Sequence, residues 1–130
     1  MNKLQFKKKQ PIINGWIHSP CTLSAEVLGG SNFTSITIDL QHGMLDFNHC
    51  RNILQILHKY DVYPIVRVPS NETGMINKCL DAGAKGIICP LVNTKEDCEK
   101  FIQSCFYAPD GIRSFGPTLV GINDRKYFSN

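Results

Sequence analysis

The sequence predicts a parallel α/β fold. Three observations carry this: a short β-branched run, a turn and a helically spaced segment recur four times over; the connections between them are short; and the fourth run is apolar on both faces, as strands covered on each side are. Repeated strand–helix alternation with short connections gives a parallel sheet with right-handed crossovers. The alternation alone does not choose between an open sheet and a barrel.

The first run, residues 12–17, meets Ser19-Pro20, a helix start, and leads into a short helix through Leu23, Val27 and Leu28 that Gly29-Gly30 ends. In the second, residues 34–40, Ile36 and Ile38 alternate with Ser35, Thr37 and Asp39 before a break at Gly43. Over residues 46–60, Phe47, Cys50, Ile53, Leu54 and Leu57 recur at the spacing of one buried helical face. The third strand, residues 62–68, is closed by Pro69, and Ser70-Asn71 supplies a cap for a helix carrying Met75, Ile76, Cys79 and Leu80 that Gly83 stops. The fourth strand covers residues 86–91; Thr94 with Asp97 forms a capping box, and Cys98, Phe101, Ile102 and Cys105 make the inner stripe of its helix. Beyond Phe106, Pro109, Gly111, Gly116, Pro117 and Gly121 punctuate a long loop. The expected organisation is one domain: a leader over 1–10, four β-α units over 11–106, and a loop over 107–130.

The chain has 130 residues, 42% hydrophobic and 19% charged, with 14 Lys+Arg against 11 Asp+Glu for a net charge of +3. That suits one globular core and excludes two full domains. Apolar stretches such as residues 86–92 fall far short of the ~20 residues that span a bilayer. Lys7, Lys8 and Lys9 precede no apolar h-region, so no signal peptide is read and a cytoplasmic protein is expected. That basic run has no aromatic interleaving, so it reads as a solvated leader rather than a nucleic-acid surface. The six cysteines form no Cys-x-x-Cys pair and read as reduced, mostly core-packing thiols.

In parallel α/β folds the functional side chains gather at the carboxyl ends of the strands. Those ends carry Trp16, His18 and Ser19; Asp39, Gln41 and His42; Arg67; and Cys89 and Pro90. His42, followed by Gly43, is poorly placed to fill a core, and Arg67 inside an apolar strand must find a partner or face a ligand. A structural histidine and a buried ion pair are the alternatives. Asp81, ending a helix beside Gly83, has little weight alone.

The same residues carry a resemblance. Ile38-Asp39-Leu40-Gln41-His42-Gly43, Pro64-Ile65-Val66-Arg67-Val68-Pro69 with Asn71, Leu80-Asp81-Ala82-Gly83-Ala84 with Gly86 and Pro90, and Tyr107-Ala108-Pro109 with Gly111-Ile112-Arg113 and Gly116-Pro117 resemble the HpcH/HpaI aldolase family. Gly15-Trp16 and Ser24-Ala25-Glu26 fit the same pattern. The resemblance implies the first four β-α units of a (β/α)8 TIM barrel of the phosphoenolpyruvate/pyruvate type, with the closing loop leading toward an absent fifth strand. It implies a class II, divalent-metal-dependent aldolase (Mg, Mn or Co) that cleaves a 4-hydroxy-2-oxo acid to pyruvate or a related 2-oxo acid plus an aldehyde. His42 becomes the general base, Asp81 the carboxylate that pairs with and orients it, and Arg67 the group that binds the 2-oxo acid and stabilises the enolate. Trp16 lines the pocket, and the loop from Arg113 to Pro117 approaches the substrate. The family's metal ligands, a Glu ending the fifth strand and an Asp beyond the sixth, have no counterpart here, Asp110 and Asp124 included, so no metal residue is assigned.

Such a half-barrel should expose two strand edges and an apolar inner face with Ile36, Ile38, Ile65 and Ile87 among its candidates, and should self-associate into a homo-oligomer. The expected partners are a small 2-oxo acid and an aldehyde, with no nucleic acid and no membrane. The alternatives are a non-catalytic half-barrel binding a partner chain or small acid, and, less favoured, a citrate-lyase-like CoA-ester lyase.

Overall fold

Four β-branched runs become strands: β1 (Asn14–Ile17), β2 (Ser35–Asp39), β3 (Tyr63–Arg67) and β4 (Gly86–Ile88). They alternate with α1 (Thr22–Gly29), α2 (Phe47–Leu57), α3 (Thr73–Asp81) and α4 (Lys95–Cys105). The computed structural model describes residues 11–124 and 126–129, so the lysine-bearing leader lies outside the described residues. The sheet runs β1-β2-β3-β4 with every neighbouring pair parallel.

Two helices start as their sequences predict. The Asp46 side chain accepts from the His49 N–H at the start of α2, and Thr94 with Asp97 forms the capping box of α4. The other two do not. Ser19-Pro20 and Ser70-Asn71 have the composition of helix starts, but α1 and α3 begin after Cys21 and Glu72 with no side-chain cap. Asn71 instead donates to the Asp97 carbonyl at 2.8 Å, tying the β3–α3 turn to the first turn of α4.

The inner stripe of α4 also differs from expectation. Phe101 and Cys105 pack against the core, but Cys98 is exposed and Ile102 is 47% exposed. The buried residue of α4 is Ser104, whose hydroxyl meets Thr73 at 2.8 Å and whose carbonyl accepts from Asn77 at 2.8 Å. The α3–α4 contact is therefore partly polar, and the apolar stripe is rotated away from it. Residues 107–130, expected as a loop, include a short α5 (Leu119–Asn123) against α3 and a 3-10 turn at Tyr127–Ser129. Cys50 and Cys79 are buried side by side as free thiols, and their mutual hydrogen bond together with burial pushes the Cys50 thiol up.

The core lies between the sheet and its helices. Ile17, Ile36, Ile38, Val66 and Val68 meet Ala25, Cys50, Ile53, Leu54, Leu57, Ile76 and Cys79. Strand register then decides the other face, because parallel partners point the same way. Asn14 pairs with Ser35, Trp16 with Thr37, Thr37 with Ile65 and Asp39 with Arg67. Of the expected inner-face candidates only Ile65 lies there, whereas Ile36, Ile38 and Ile87 belong to the helix-covered side. The inner face is polar and largely satisfied: the Asn14 amide joins the Ser35 and Thr37 hydroxyls at 2.9–3.2 Å. Ser35, Thr37 and Asp39 are 2%, 0% and 0% exposed.

Gly83 makes the turn from α3 into β4 with φ of 105°, and an added Cβ would stand 2.2 Å from His58 Nε2. Only glycine fits that turn without strain.

Candidate functional site

Asp39 ends β2 and its register partner Arg67 ends β3, so the sheet itself brings a carboxylate and a guanidinium together at the carboxyl end. Arg67 Nε donates to Asp39 Oδ1 at 2.9 Å and Nη2 to Oδ2 at 2.5 Å, a two-point contact that only the planar fork makes. Trp16 Nε1 donates to Oδ2 at 3.3 Å, and the N–H groups of Gln41 and His42 donate to Oδ1 at 3.0 and 3.2 Å. His18 Nε2 stands 2.9 Å from Oδ2. Six nitrogens thus converge on one fully buried carboxylate. Burial pushes the Asp39 carboxyl up, but the donors from Arg67, His42, Gln41 and Trp16 outweigh it and hold it well below the usual carboxylate range.

Arg67 is used on one edge only. Its Nε and Nη2 face Asp39, while Nη1 makes no hydrogen bond among the described residues, and the side chain keeps 23% of its surface exposed. The guanidinium lies 5.1 Å from the centre of the Trp16 ring, which fixes its plane. His42 projects from the loop after β2 as an exposed residue, anchored through its backbone N–H. That loop folds back on β1, with Met44 N–H donating to the His18 carbonyl at 2.8 Å. Gly43 permits it: an added Cβ would stand 2.3 Å from the Asp39 carbonyl oxygen and 3.2 Å from that of His18. We expect Gly43→Ala to cost about 1–3 kcal/mol, since backbone atoms on both sides cannot yield. A urea midpoint equal to that of the wild type would refute this packing.

The structure brings Trp16, Arg67 and His42 together and does not bring Asp81 to them. Asp81 closes α3 at the amino end of the strands, near where Lys85 N–H meets the Pro64 carbonyl and β4 begins. Its partner is Arg113, which donates to Oδ1 at 2.6 Å and stacks 4.5 Å from the centre of the Tyr107 ring. The expectation that Asp81 orients His42 is therefore not met within one chain, and the loop from Arg113 to Pro117 sits at the opposite end from His42. Helix α3 carries Asp81 the length of the sheet away from the carboxyl rim.

Sequence reasoning places Asp39 and His18 at the strand ends without assigning them a part. The signal is a carboxylate ending a strand that becomes fully buried. Among the described residues no group of three or more His, Cys, Asp or Glu side chains is placed to hold a metal ion.

The family model for HpcH/HpaI aldolase/citrate lyase matches residues 15–126. The chain belongs to the HpcH/HpaI family. A hydroxypyruvate/pyruvate aldolase of Rhizorhabdus wittichii is 38% identical over 119 residues, covering 90% of this chain and 47% of that protein. A 4-hydroxy-2-oxovalerate aldolase of Rhodococcus jostii is 35% identical over 105 residues, covering 80% and 41%. The chain thus spans less than half the length of these HpcH/HpaI relatives. Its fold matches an HpcH/HpaI aldolase/citrate lyase family protein from Burkholderia cenocepacia with a TM-score of 0.82 at 23% identity, over 92% of this chain and 50% of that one. Macrophomate synthase superposes with a TM-score of 0.73 at 31% identity, over 82% and 37%. The parallel sheet with alternating helices corresponds to the first β-α units of the TIM-barrel-type fold of the family. Among the described residues no helix is long and apolar enough to cross a membrane.

Proposed function

We propose that this chain carries the 2-oxo-acid-binding end of an aldolase, a carbon–carbon lyase that cleaves a 4-hydroxy-2-oxo acid into pyruvate or a related 2-oxo acid and an aldehyde. The observation that carries it is the half-used guanidinium of Arg67, locked by Asp39 and Trp16 with its second edge free on the rim that also bears the exposed imidazole of His42. The aldolase names of the relatives support the same class.

The free edge of Arg67 suits the carboxylate and 2-oxo group of the acid, as two parallel donors suit two oxygens. His42 takes the proton of the 4-hydroxyl; the C3–C4 bond breaks, the aldehyde leaves, and its electron pair remains on the acid as an enolate. Arg67 lies beside that developing charge, and its positive charge lowers the barrier to it. Trp16 forms the wall. Within one chain Asp81 lies at the other end of the sheet, paired with Arg113, and does not reach His42. The described residues do not fit the divalent metal expected for the family, since Asp39 is saturated by its own donors and no cluster of ligands accompanies it. The same reading takes the chain to work as an assembly, because among the described residues β1 and β4 each pair with one strand only.

A second reading, a non-catalytic half-barrel that binds a small acid, is favoured by Asp39, whose two oxygens are taken up by donors of this chain. Exchange of the pyruvate methyl protons with deuterium, followed by proton NMR on the 130-residue chain with and without added Mg, Mn or Co, separates the two. Protein-dependent exchange is expected. A folded chain that binds pyruvate without exchanging its protons would select the second reading.

A further inference from the structure

A cavity of about 740 Å³ opens at the amino end of β4, the opposite end of the sheet from Arg67 and His42, and the aldolase chemistry gives it no part. That volume is in the range of small-ligand sites. Leu80 of α3, Ile87 of β4, Phe101 of α4 and Val120 of α5 line it, so the body of a ligand held there would be out of water. Arg113 lines it too, with a side chain only 7% exposed. Its Nη2 donates to Asp81 Oδ1 at 2.6 Å and the Tyr107 ring fixes its plane, yet Nε is buried with no hydrogen-bond partner. A buried donor on a charged group left without an acceptor is costly, and such groups are nearly always satisfied. Lys85 lies on the same wall, its Nζ 6.0 Å from the centre of the Tyr63 ring, and pairs with no carboxylate among the described residues. Asp124 is the one carboxylate among the described lining residues, and its Oδ1 accepts from the Lys126 N–H at 3.0 Å.

We propose that this cavity is a second binding site, separate from the rim, and takes a small monocarboxylic acid with an apolar body. The apolar walls bury the body, Arg113 Nε gives its unused N–H to the carboxylate, and the Lys85 ammonium balances the charge. Asp124 sets a like charge on the same wall, so a second carboxylate on the ligand is disfavoured. The site does not depend on what Arg67 and His42 bind, because the length of the sheet lies between the two ends.

The test is a titration of the full 130-residue chain with hydrocinnamate, a phenyl ring on a short acid, followed by proton–nitrogen NMR that includes the arginine Nε–H signals, with the neutral hydrocinnamamide as control. Saturable shifts are expected at the Arg113 Nε–H and at Ile87, Phe101 and Val120, with a Kd of about 0.1–1 mM. The amide should bind about five- to tenfold more weakly. Lys85→Ala, at an exposed position, should weaken the acid about two- to fivefold and leave the amide unchanged. Val120→Trp fills the cavity and should abolish binding of both; its urea midpoint reports whether it folds, and Lys85→Ala carries the test if it does not. Four results would each overturn the proposal: no saturation about tenfold above that Kd range, equal affinities for acid and amide, an acid affinity that Lys85→Ala leaves unchanged, or shifts centred on Trp16 and Arg67. None of them touches the reading of the rim, which the exchange of pyruvate protons tests separately.

Discussion

Asp39→Ala will destabilise the chain by about 3–5 kcal/mol, the usual cost of removing one partner of a buried ion pair. Arg67 would keep its charge with Nε and Nη2 unpaired, and the indole N–H of Trp16 and the backbone N–H groups of Gln41 and His42 would lose their shared acceptor. A small domain holds only about 5–15 kcal/mol in all, so the variant should have a far lower urea midpoint, or none. A midpoint within about 0.5 kcal/mol of wild type would show that Asp39 is not the hub of the rim. Asp39→Asn keeps the shape and removes the charge, so it serves as the variant that folds. It also isolates a pH effect. The folded carboxyl is held below its unfolded value, so its contribution is fully present above pH ~4 and is lost as pH falls through the folded value. Glu26, Asp46 and Asp97 are lowered too, so the wild-type curve alone is a composite. The difference between wild type and Asp39→Asn should shrink on acidification below pH ~4; a constant difference would contradict the assignment.

His42→Ala is expected to lower protein-dependent exchange of the pyruvate methyl protons, and turnover of any active assembly, by about 100- to 10,000-fold, the range that general-base catalysis supplies. Stability should barely change, because the side chain is exposed and its loop is held through backbone contacts, the His42 N–H on Asp39 and the Met44 N–H on the His18 carbonyl. That combination, a large rate effect on an unaltered urea midpoint, is what separates a chemical role from a structural one. Unchanged exchange would remove His42 from the chemistry and leave His18 as the imidazole to examine.

Elements whose cause is local are legible in the sequence. The spacing of Cys50, Ile53, Leu54 and Leu57 specifies the buried face of α2, and Thr94 three residues before Asp97 specifies the start of α4. Asn71 departs from expectation because it has two uses open to it, capping α3 or reaching the Asp97 carbonyl, and the second depends on where α4 lies. The stripe of α4 departs for the same reason. Cys98 and Ile102 have the right spacing for burial, but Ser104 finds Thr73 and Asn77 across the interface and turns the helix toward them.

By itself the sequence determined the four β-α units, the parallel sheet, and the rim on which Trp16, His42 and Arg67 meet, because side-chain periodicity and strand ends are properties of short segments. It did not determine which side of β2 would meet the helices. Alternating Ile36 and Ile38 with Ser35, Thr37 and Asp39 offers both faces equally, and a strand settles between them only when its neighbours are in register and the helices cover one side. Tertiary structure decided that, and with it that Asp39 is the buried hub gripping Arg67 and His18. It also decided that Asp81 pairs with Arg113 at the far end, because a helix connecting two parallel strands must return its last residue to the end where the next strand begins.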